Sequence, residues 1–231
     1  MNAPRPQARP STSADRSRVA AVLARAFADD PVIAYLFPPG VRRQEKRLSR
    51  FFAMDLPRSE RLRGTWISAD GAGAAIWYPP GSWRPHMWET LRQTPAALRV
   101  FGRQLGLASR AQALMREHHP TQPHWYLYYL GTEPQQQGAG IGTAMMRPVL
   151  ELCDRDRLPA YLEASSPRNR ALYQRHGFKC LDPLVMPGNG PTMYPMWRER
   201  SERSGLRTMP RCAELSRAAA RSIHPESRVR M

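Results

Sequence analysis

The chain has 231 residues, of which 42% are hydrophobic, so it can bury the core of one domain and is not a disordered polypeptide. Its 35 Lys and Arg outnumber its 19 Asp and Glu, and the net charge of +16 leaves a polyanionic partner or a phosphorylated ligand open. No apolar run approaches the roughly 20 residues that a membrane helix needs, and residues 1–10 lack the apolar core of a signal peptide. We therefore expect a cytoplasmic protein with no membrane partner.

Hydrophobic periodicity and the positions of Pro and Gly predict helices and strands behind a short N-terminal tail. In chain order the predicted elements are one short edge strand near 7–10, a helix between a capping box at 12–15 and Asp29-Asp30-Pro31, a helix over 41–54, strands over 66–68 and 74–78, two or three helices within 86–119, a strand over 125–130, a helix after 140, a strand over 160–164, a helix over 169–176, and strands over 178–181 and 192–197. The strand over 125–130 is apolar on both faces, which is typical of the middle of a sheet. Pro95 and Gly106 are expected to interrupt the helices before it.

The most informative stretch is a glycine-rich loop that joins the strand over 125–130 to the next helix. Gly138, Gly140 and Gly142 let the backbone approach a ligand closely, and free N–H groups at a helix N-terminus attract phosphate oxygens. The loop is therefore a candidate pyrophosphate site, with a plain strand-to-helix turn as the alternative. It is not a P-loop, which needs a lysine, and Thr143 stands where a dinucleotide fingerprint has its last glycine.

The same loop resembles a known family in its sequence, which reads Gln137-Gly138-Ala139-Gly140-Ile141-Gly142. This run is similar to the Q/R-x-x-G-x-G/A acetyl-CoA signature of the GCN5-related N-acetyltransferases, the GNAT family. Residues 161–178 resemble the second segment of that family, a strand followed by Asn169, Tyr173 and Gly177-Phe178. The resemblance covers about 15–197.

The resemblance implies the GNAT fold: an α/β (α+β) domain with a mixed central sheet of about six to seven strands flanked by helices. It also implies that the sheet is splayed at its central strands and that a helical insert precedes the central strand. We place this acetyltransferase domain at 14–198, between a tail with its edge strand at 1–13 and an Arg-rich tail at 199–231. We expect the second tail to be poorly ordered, although 212–223 could form a short helix.

The resemblance further implies acetyl-CoA as co-substrate and no metal. The backbone of Leu130, Gly131 and Thr132 would pair with the pantetheine arm, and an N–H at the Leu130 end would stabilise the negative oxygen that develops during acyl transfer. Asn169 would help to hold the coenzyme. The residues implied for its pyrophosphate are Gln137, Gly138, Ala139, Gly140, Ile141, Gly142 and Thr143.

Two residues are candidates for moving protons. Tyr173 matches the general acid that is frequent in the family, although a tyrosine on a helix also packs its ring on a sheet. Glu163 lies in an otherwise apolar strand, where a half-buried carboxylate is a candidate base; the alternative is a solvent-facing position paired with Arg168 or Arg170. Asp29 and Asp30 are interpreted as turn residues or as contacts for a cationic amine.

The histidines give no comparable signal. His118 and His119 are adjacent, so they do not share a helix face, and a helix end or loop explains them. His124 has no partner pattern, and no Cys or His spacing typical of a metal site is present.

The sequence thus predicts an N-acetyltransferase that acts on a primary amine of a small molecule by direct attack in a ternary complex. One alternative is a family member that binds acetyl-CoA without catalysis. Another is a basic nucleic-acid-binding protein, but this reading leaves the glycine loop and the Tyr173 segment unexplained, so nucleic acid is not expected as a partner. The sequence makes no prediction of the oligomeric state.

Overall fold

The computed structural model describes residues 6–38 and 44–200. Within these ranges the helices are α1 (Arg16–Ala26), α2 (Pro31–Leu36), α3 (Gln44–Ala53), α4 (Leu56–Arg61), α5 (Met87–Phe101), α6 (Leu105–Glu117), α7 (Ile141–Asp156) and α8 (Pro167–Gln174). None of these helices is both long and apolar enough to cross a membrane. The strands are β1 (Ala8–Pro10), β2 (Thr65–Ser68), β3 (Gly73–Tyr78), β4 (Trp125–Thr132), β5 (Ala160–Ala164), β6 (Lys179–Cys180), β7 (Leu184–Val185) and β8 (Thr192–Arg198). Residues 201–231 of the predicted Arg-rich tail, including the helix considered at 212–223, lie outside the described residues, as do 1–5 and 39–43.

The described strands form one sheet in the order β1-β2-β3-β4-β5-β8-β6, with β7 pairing to β8. β4 and β5 are parallel, and every other pair is antiparallel. The predicted mixed sheet flanked by helices is therefore confirmed, with α5 and α6 as the helical insert before the central strand β4. The strand that the sequence did not predict is β7, because its two residues are too few to show an alternating pattern.

β4 and β5 separate partway along their length. They pair from Trp125 with Ala160 to Leu127 with Leu162. Beyond Leu127, β4 continues beside β3 alone, whereas β5 continues beside β8 alone. Backbone groups on the facing edges of the two strands are thus free of the sheet hydrogen bonds, which is the predicted splay.

A β-bulge in β4 lies next to this separation. Tyr129 opposes Ile76 and Leu127 opposes Trp77, so Tyr128 has no partner on β3. Because one extra residue is inserted, Tyr128 and Tyr129 both pack on the same side of the sheet. The bulge therefore adds a second tyrosine ring to that side, close to the point where β4 leaves β5.

Helices cover the sheet on two sides, which we call the α1 face and the α7 face. On the α1 face, α1 and α3 pack against the tyrosines of β4 and β5, including Tyr126 and Tyr161. On the α7 face, α7 and α8 pack against the alternate residues of the same strands. Helix α1 approaches β4 most tightly at Gly131, where an added Cβ atom would lie 2.8 Å from that of Ala26. A side chain at position 131 would therefore push α1 away from the strand.

Helices α2 and α4 were not predicted, and α8 begins and ends two residues earlier than predicted. Two Pro or Gly signals also act differently from the prediction. Pro31 follows the end of α1 as expected, but it also begins α2, whose N-terminal amides bond to the Asp30 side chain. Helix α5 continues through Pro95, since one missing hydrogen bond does not end a helix that is held by its other contacts. The break falls instead at Gly102, which has a φ of 53°, and Gly106 lies inside α6.

Candidate functional site

A cleft of about 530 Å³ opens where β4 and β5 separate. Residues from the end of β4, the glycine loop over 137–140, the first turn of α7 and the exposed side of α8 line it together. All the predicted coenzyme residues except Ala139 belong to this lining, namely Leu130, Gly131, Thr132, Gln137, Gly138, Gly140, Ile141, Gly142, Thr143 and Asn169. The N–H of Ala139 instead donates to the carbonyl of Gln136 at 3.4 Å, within the turn before the loop.

The glycine loop presents backbone to this cleft. Gly138 and Gly140 have φ values of 87° and 82°, a region that L-residues with side chains rarely adopt. An added Cβ atom at either position would meet nothing within 4 Å, so the space in front of the loop is open. Within the described residues, the amides of Ile141, Gly142 and Thr143 have no backbone acceptor, because they form the first turn of α7.

The charge around the loop suits an anionic ligand. Arg168 and Arg175 line the same cleft, and the helix dipole of α7 adds partial positive charge at its N-terminus. Free amides, two arginines and open space at positive-φ glycines together fit a pyrophosphate group. The residues present therefore fit the coenzyme that the sequence implies.

Tyr173 lies on α8 with its ring at the wall of the cleft. Its ring packs edge-on against Phe178, with 6.1 Å between the ring centroids, and the residue is 8% exposed. Burial raises the pKa of the Tyr173 hydroxyl, and the nearby Asp30 raises it further. Both sequence interpretations of this tyrosine thus describe its position: it packs against the sheet and it borders the cleft.

A hydrogen-bonded chain crosses the cleft from the start of α2 to α8. The Asp30 side chain accepts from the backbone amides of Val32 and Ile33 at 2.9 and 3.1 Å, so Asp30 caps the N-terminus of α2 instead of forming a simple turn. The second oxygen of Asp30 accepts from the Ser165 hydroxyl. The side-chain amide of Asn169 donates from Nδ2 to the same hydroxyl at 3.3 Å. Burial raises the pKa of Asp30. Ser165, which the sequence did not single out, therefore connects Asn169 to Asp30.

Glu163 projects away from the cleft, toward the α1 face. Its side chain is only 3% exposed, and the Tyr126 hydroxyl donates to its Oε2 at 2.6 Å. Within the described residues no Arg or Lys forms an ion pair with it, and Arg170 lies instead over the Tyr194 ring. The solvent-facing, salt-bridged alternative for Glu163 is therefore wrong. The residue as a whole is half-buried, so its exposed part is the backbone at the opening between β4 and β5.

Two histidines that the sequence did not select surround this carboxylate. His119 Nδ1 lies 3.9 Å from Glu163 Oε1, and the Nε2 atoms of His119 and His124 lie 3.1 Å apart. We call this set the buried polar cluster: His119, His124, Tyr126, Tyr161 and Glu163. Its members come from three separate segments of the chain, so no short sequence motif predicts the cluster. Across the described ranges, no group of three or more His, Cys, Asp or Glu side chains could hold a metal ion.

Comparisons with known proteins identify a family for this chain. The sequence model described as "Acetyltransferase (GNAT) family" matches residues 74–178. An uncharacterized N-acetyltransferase of Schizosaccharomyces pombe is 30% identical over 178 residues, which cover 71% of this chain and 70% of the relative.

Solved structures share the fold. One described as histone acetyltransferase HPA2 and related acetyltransferase, from Corynebacterium glutamicum, superposes with a TM-score of 0.66 at 25% identity, over 87% of this chain and 100% of the other. The polyamine N-acetyltransferase of Drosophila melanogaster superposes with a TM-score of 0.55 at 15% identity, over 84% of this chain and 99% of the other. At such low identity the second likeness concerns the fold alone.

Proposed function

The chain belongs to the acetyltransferase (GNAT) family, and from this premise we propose that it transfers the acetyl group of acetyl-CoA to a primary amine of a small molecule by direct attack in a ternary complex. The observation that carries this proposal is that the splayed end of β4, the glycine loop, Asn169 and Tyr173 line one cleft. This convergence supports the proposal, because acetyl transfer needs a strand edge for the pantetheine arm, a phosphate cradle and a proton donor within one cavity.

The small-molecule acceptor is supported by two likenesses. In sequence, the end of the first helix over 26–29, the segment over 161–178 and the helical insert resemble puromycin N-acetyltransferase. The Drosophila enzyme of similar fold forms N-acetylagmatine, so a small cationic amine is compatible with this architecture. Acceptor loops diverge faster than coenzyme sites, and the proposal therefore stops at the class of primary amines.

In this proposal the coenzyme is held mainly by backbone. Leu130, Gly131 and Thr132 offer free peptide groups on the edge of β4 that faces the opening. Residues 137–143 hold the pyrophosphate through amides at the α7 N-terminus, and Asn169 contributes its side chain from α8. A backbone N–H at the Leu130 end stabilises the negative charge that develops on the acetyl oxygen.

When bound, acetyl-CoA supplies a thioester whose carbon–sulfur bond breaks as the amine nitrogen bonds to the acetyl carbon. The residues of the chain move two protons. Because the Glu163 side chain projects away from the cleft, it takes the proton that the amine gives up by way of water in the opening between β4 and β5. Tyr173 donates its phenolic proton to the leaving sulfur. Burial raises the pKa of Tyr173, which keeps the hydroxyl protonated until the sulfur departs. Exchange with solvent then restores both groups.

Isothermal titration of acetyl-CoA into the full chain tests the coenzyme site, with desulfo-CoA and ATP as comparison ligands. Micromolar binding of acetyl-CoA and much weaker binding of ATP are expected. Thiol release in the presence of primary amines then measures transfer. Absence of acetyl-CoA binding at millimolar concentration would overturn the proposal, and binding without thiol release from any amine would favour a non-catalytic module.

A further inference from the structure

The buried polar cluster contains more hydrogen-bonding capacity than it uses. Glu163 Oε1 and the Tyr161 hydroxyl oxygen are both buried, and neither has a partner at full hydrogen-bonding geometry within the described residues. The two groups are nevertheless neighbours, because Glu163 adds to the effect of burial in raising the pKa of the Tyr161 hydroxyl. Buried polar atoms without partners are rare in folded proteins and call for an explanation. The side chain of His119 is 2% exposed, and its Nδ1 lies 3.9 Å from Glu163 Oε1, which is beyond hydrogen-bonding distance.

The hydrogen bonds of the cluster determine which nitrogen of each histidine carries a proton. His124 Nδ1 lies 2.6 Å from the carbonyl oxygen of Gln122, which can only accept, so this nitrogen carries the hydrogen. Burial lowers the pKa of His124 and keeps the ring neutral, which leaves its Nε2 as an acceptor. The hydrogen between the two rings therefore belongs to His119 Nε2.

This assignment leaves His119 Nδ1 facing Glu163. In a neutral His119 ring with this assignment, Nδ1 carries only a lone pair, so it offers no hydrogen to the carboxylate oxygen 3.9 Å away and the two atoms repel each other. One added proton removes the repulsion between His119 Nδ1 and the Glu163 carboxylate in either of two ways. On His119 it creates a countercharge for the carboxylate, and on Glu163 it removes the carboxylate charge.

We infer that His119 and Glu163 share one proton as a single unit, and that His119 is a positioning residue that sets when Glu163 is available as the base. This inference rests on the proposed function for its catalytic consequence but not for the proton sharing itself. In the unit, the proton from the amine enters at Glu163 and is accommodated by either residue. Two sites accept the proton where an isolated carboxylate would offer one.

Neighbouring elements contribute mainly neutral groups to the unit. Tyr126 on β4 and Tyr161 on β5 face Glu163, and burial raises the pKa of both hydroxyls, so they remain protonated. Trp83, from the loop after β3, packs on His119 with 3.7 Å between the ring centroids and an angle of 31° between the ring planes.

Charged groups stand beyond these rings. Arg84 lies over the Trp83 ring, with 4.8 Å between its Cζ and the ring centroid. Asp55 and Arg58 lie beside Tyr78 and Tyr128. Burial raises the pKa of Tyr128, and the charges of Asp55 and Glu163 raise it further. None of these three charged side chains forms an ion pair with Glu163, within the parts of the chain that the structure describes.

Nuclear magnetic resonance of the histidine side chains tests the sharing without any acetyl transfer. In ¹⁵N-labelled full chain, long-range ¹H–¹⁵N spectra between about pH 5 and 9 follow each ring, and the loss of signals in His119→Gln assigns His119. We expect the His119 titration midpoint to fall by about one pH unit in Glu163→Gln, since the carboxylate that favours the added proton is gone. The exposed Glu117→Gln serves as the matched control and should leave it unchanged. An identical His119 titration in wild type and Glu163→Gln overturns the inference.

The pH dependence of kcat/KM tests the catalytic consequence. His119→Asn and His119→Gln are expected to lower kcat by at least about tenfold, leave acetyl-CoA affinity unchanged and move the acidic limb to lower pH, because Glu163 becomes the only site for the proton. His118→Asn, the exposed neighbour, should match wild type. If a His119 variant is slower but the acidic limb of its kcat/KM profile does not move, the role of His119 is structural and the inference is overturned. Failure of wild type to bind acetyl-CoA would instead overturn the proposed function and leave the spectroscopic result standing.

Discussion

The two faces of the sheet are built in different ways where β4 and β5 separate. On the cleft side, a single stretch from Leu130 to Thr143 supplies about half of the lining, and the rest comes from the end of α1, the start of α2 and the region of α8. On the α1 face, the buried polar cluster is made of side chains from the segment after α6, from β4 and from β5. The first surface is open to a ligand, and the second is almost closed to solvent.

This difference follows from what each face is proposed to do. A phosphate cradle works through N–H groups and needs access, so glycines and a helix N-terminus serve it. A base gains strength when water is excluded and when few donors satisfy its oxygens, so burial serves it. The comparison therefore predicts that changes on the cleft side alter coenzyme affinity, whereas changes in the buried polar cluster alter turnover.

Glu163→Gln should have the largest effect on turnover. The amide keeps the shape of the side chain and can still accept from Tyr126, but it cannot take a proton from the amine. We expect kcat to fall by about 10²- to 10⁴-fold while the Kd for acetyl-CoA stays within about twofold. Steady-state kinetics and titration measure the two quantities, with the exposed Glu117→Gln as control. Equal losses in acetyl-CoA affinity and in turnover would contradict the prediction that the buried polar cluster controls turnover alone.

Gly140→Val should act in the opposite sense, on affinity. Its φ of 82° disfavours a β-branched side chain, and the strain would displace the first turn of α7. We expect the Kd for acetyl-CoA to rise by at least about tenfold, as measured by titration. Gly106→Ala is the matched control, because Gly106 lies inside α6 with open space around it and should bind normally. Normal coenzyme affinity in Gly140→Val would show that the glycine loop does not bind the coenzyme.

Tyr173→Phe sharpens the comparison, because this residue lies on the cleft side but is proposed to move a proton. Loss of the hydroxyl should lower kcat by about tenfold or more and leave acetyl-CoA affinity nearly unchanged. Tyr194→Phe, on the neighbouring strand β8, controls for the loss of a tyrosine hydroxyl elsewhere. A rate equal to wild type would exclude Tyr173 as the proton donor and leave its packing role.

Asp55→Asn should have the smallest effect, on stability alone. Burial raises the pKa of Asp55 to about 6, above the value of about 3.9 in an unfolded chain. The folded state therefore binds this proton more tightly, and the stability that this preference provides is lost as the pH rises from about 4 through 6. We expect Asp55→Asn to raise the free energy of unfolding by about 1–2 kcal/mol at pH 8, with little change at pH 4. Denaturant unfolding at both pH values measures this, and the exposed Asp182→Asn should show no such difference.

Much of the fold could be predicted because its signals are local. The apolar run of β4, the strand β5 and the glycine loop each occupy a few consecutive residues, and their boundaries in the structure agree closely with the predicted ones. The break at Gly102 was missed, because whether a helix tolerates Pro95 depends on contacts with the rest of the protein. The Ser165 bridge and the two histidines were missed for the same reason.

The sequence by itself predicted most of the helices and strands, since periodicity carries that information, and its short motifs predicted the family and, through that resemblance, the mixed sheet. Only the tertiary structure decided where Glu163 projects. Neighbouring residues on a strand point to opposite faces, and the partners of Glu163 come from segments that are distant along the chain. Which face is buried, and which side chains meet there, depends on how helices pack on the sheet. The tertiary fold therefore encloses this carboxylate with His119, while the glycine loop stays open to the cleft.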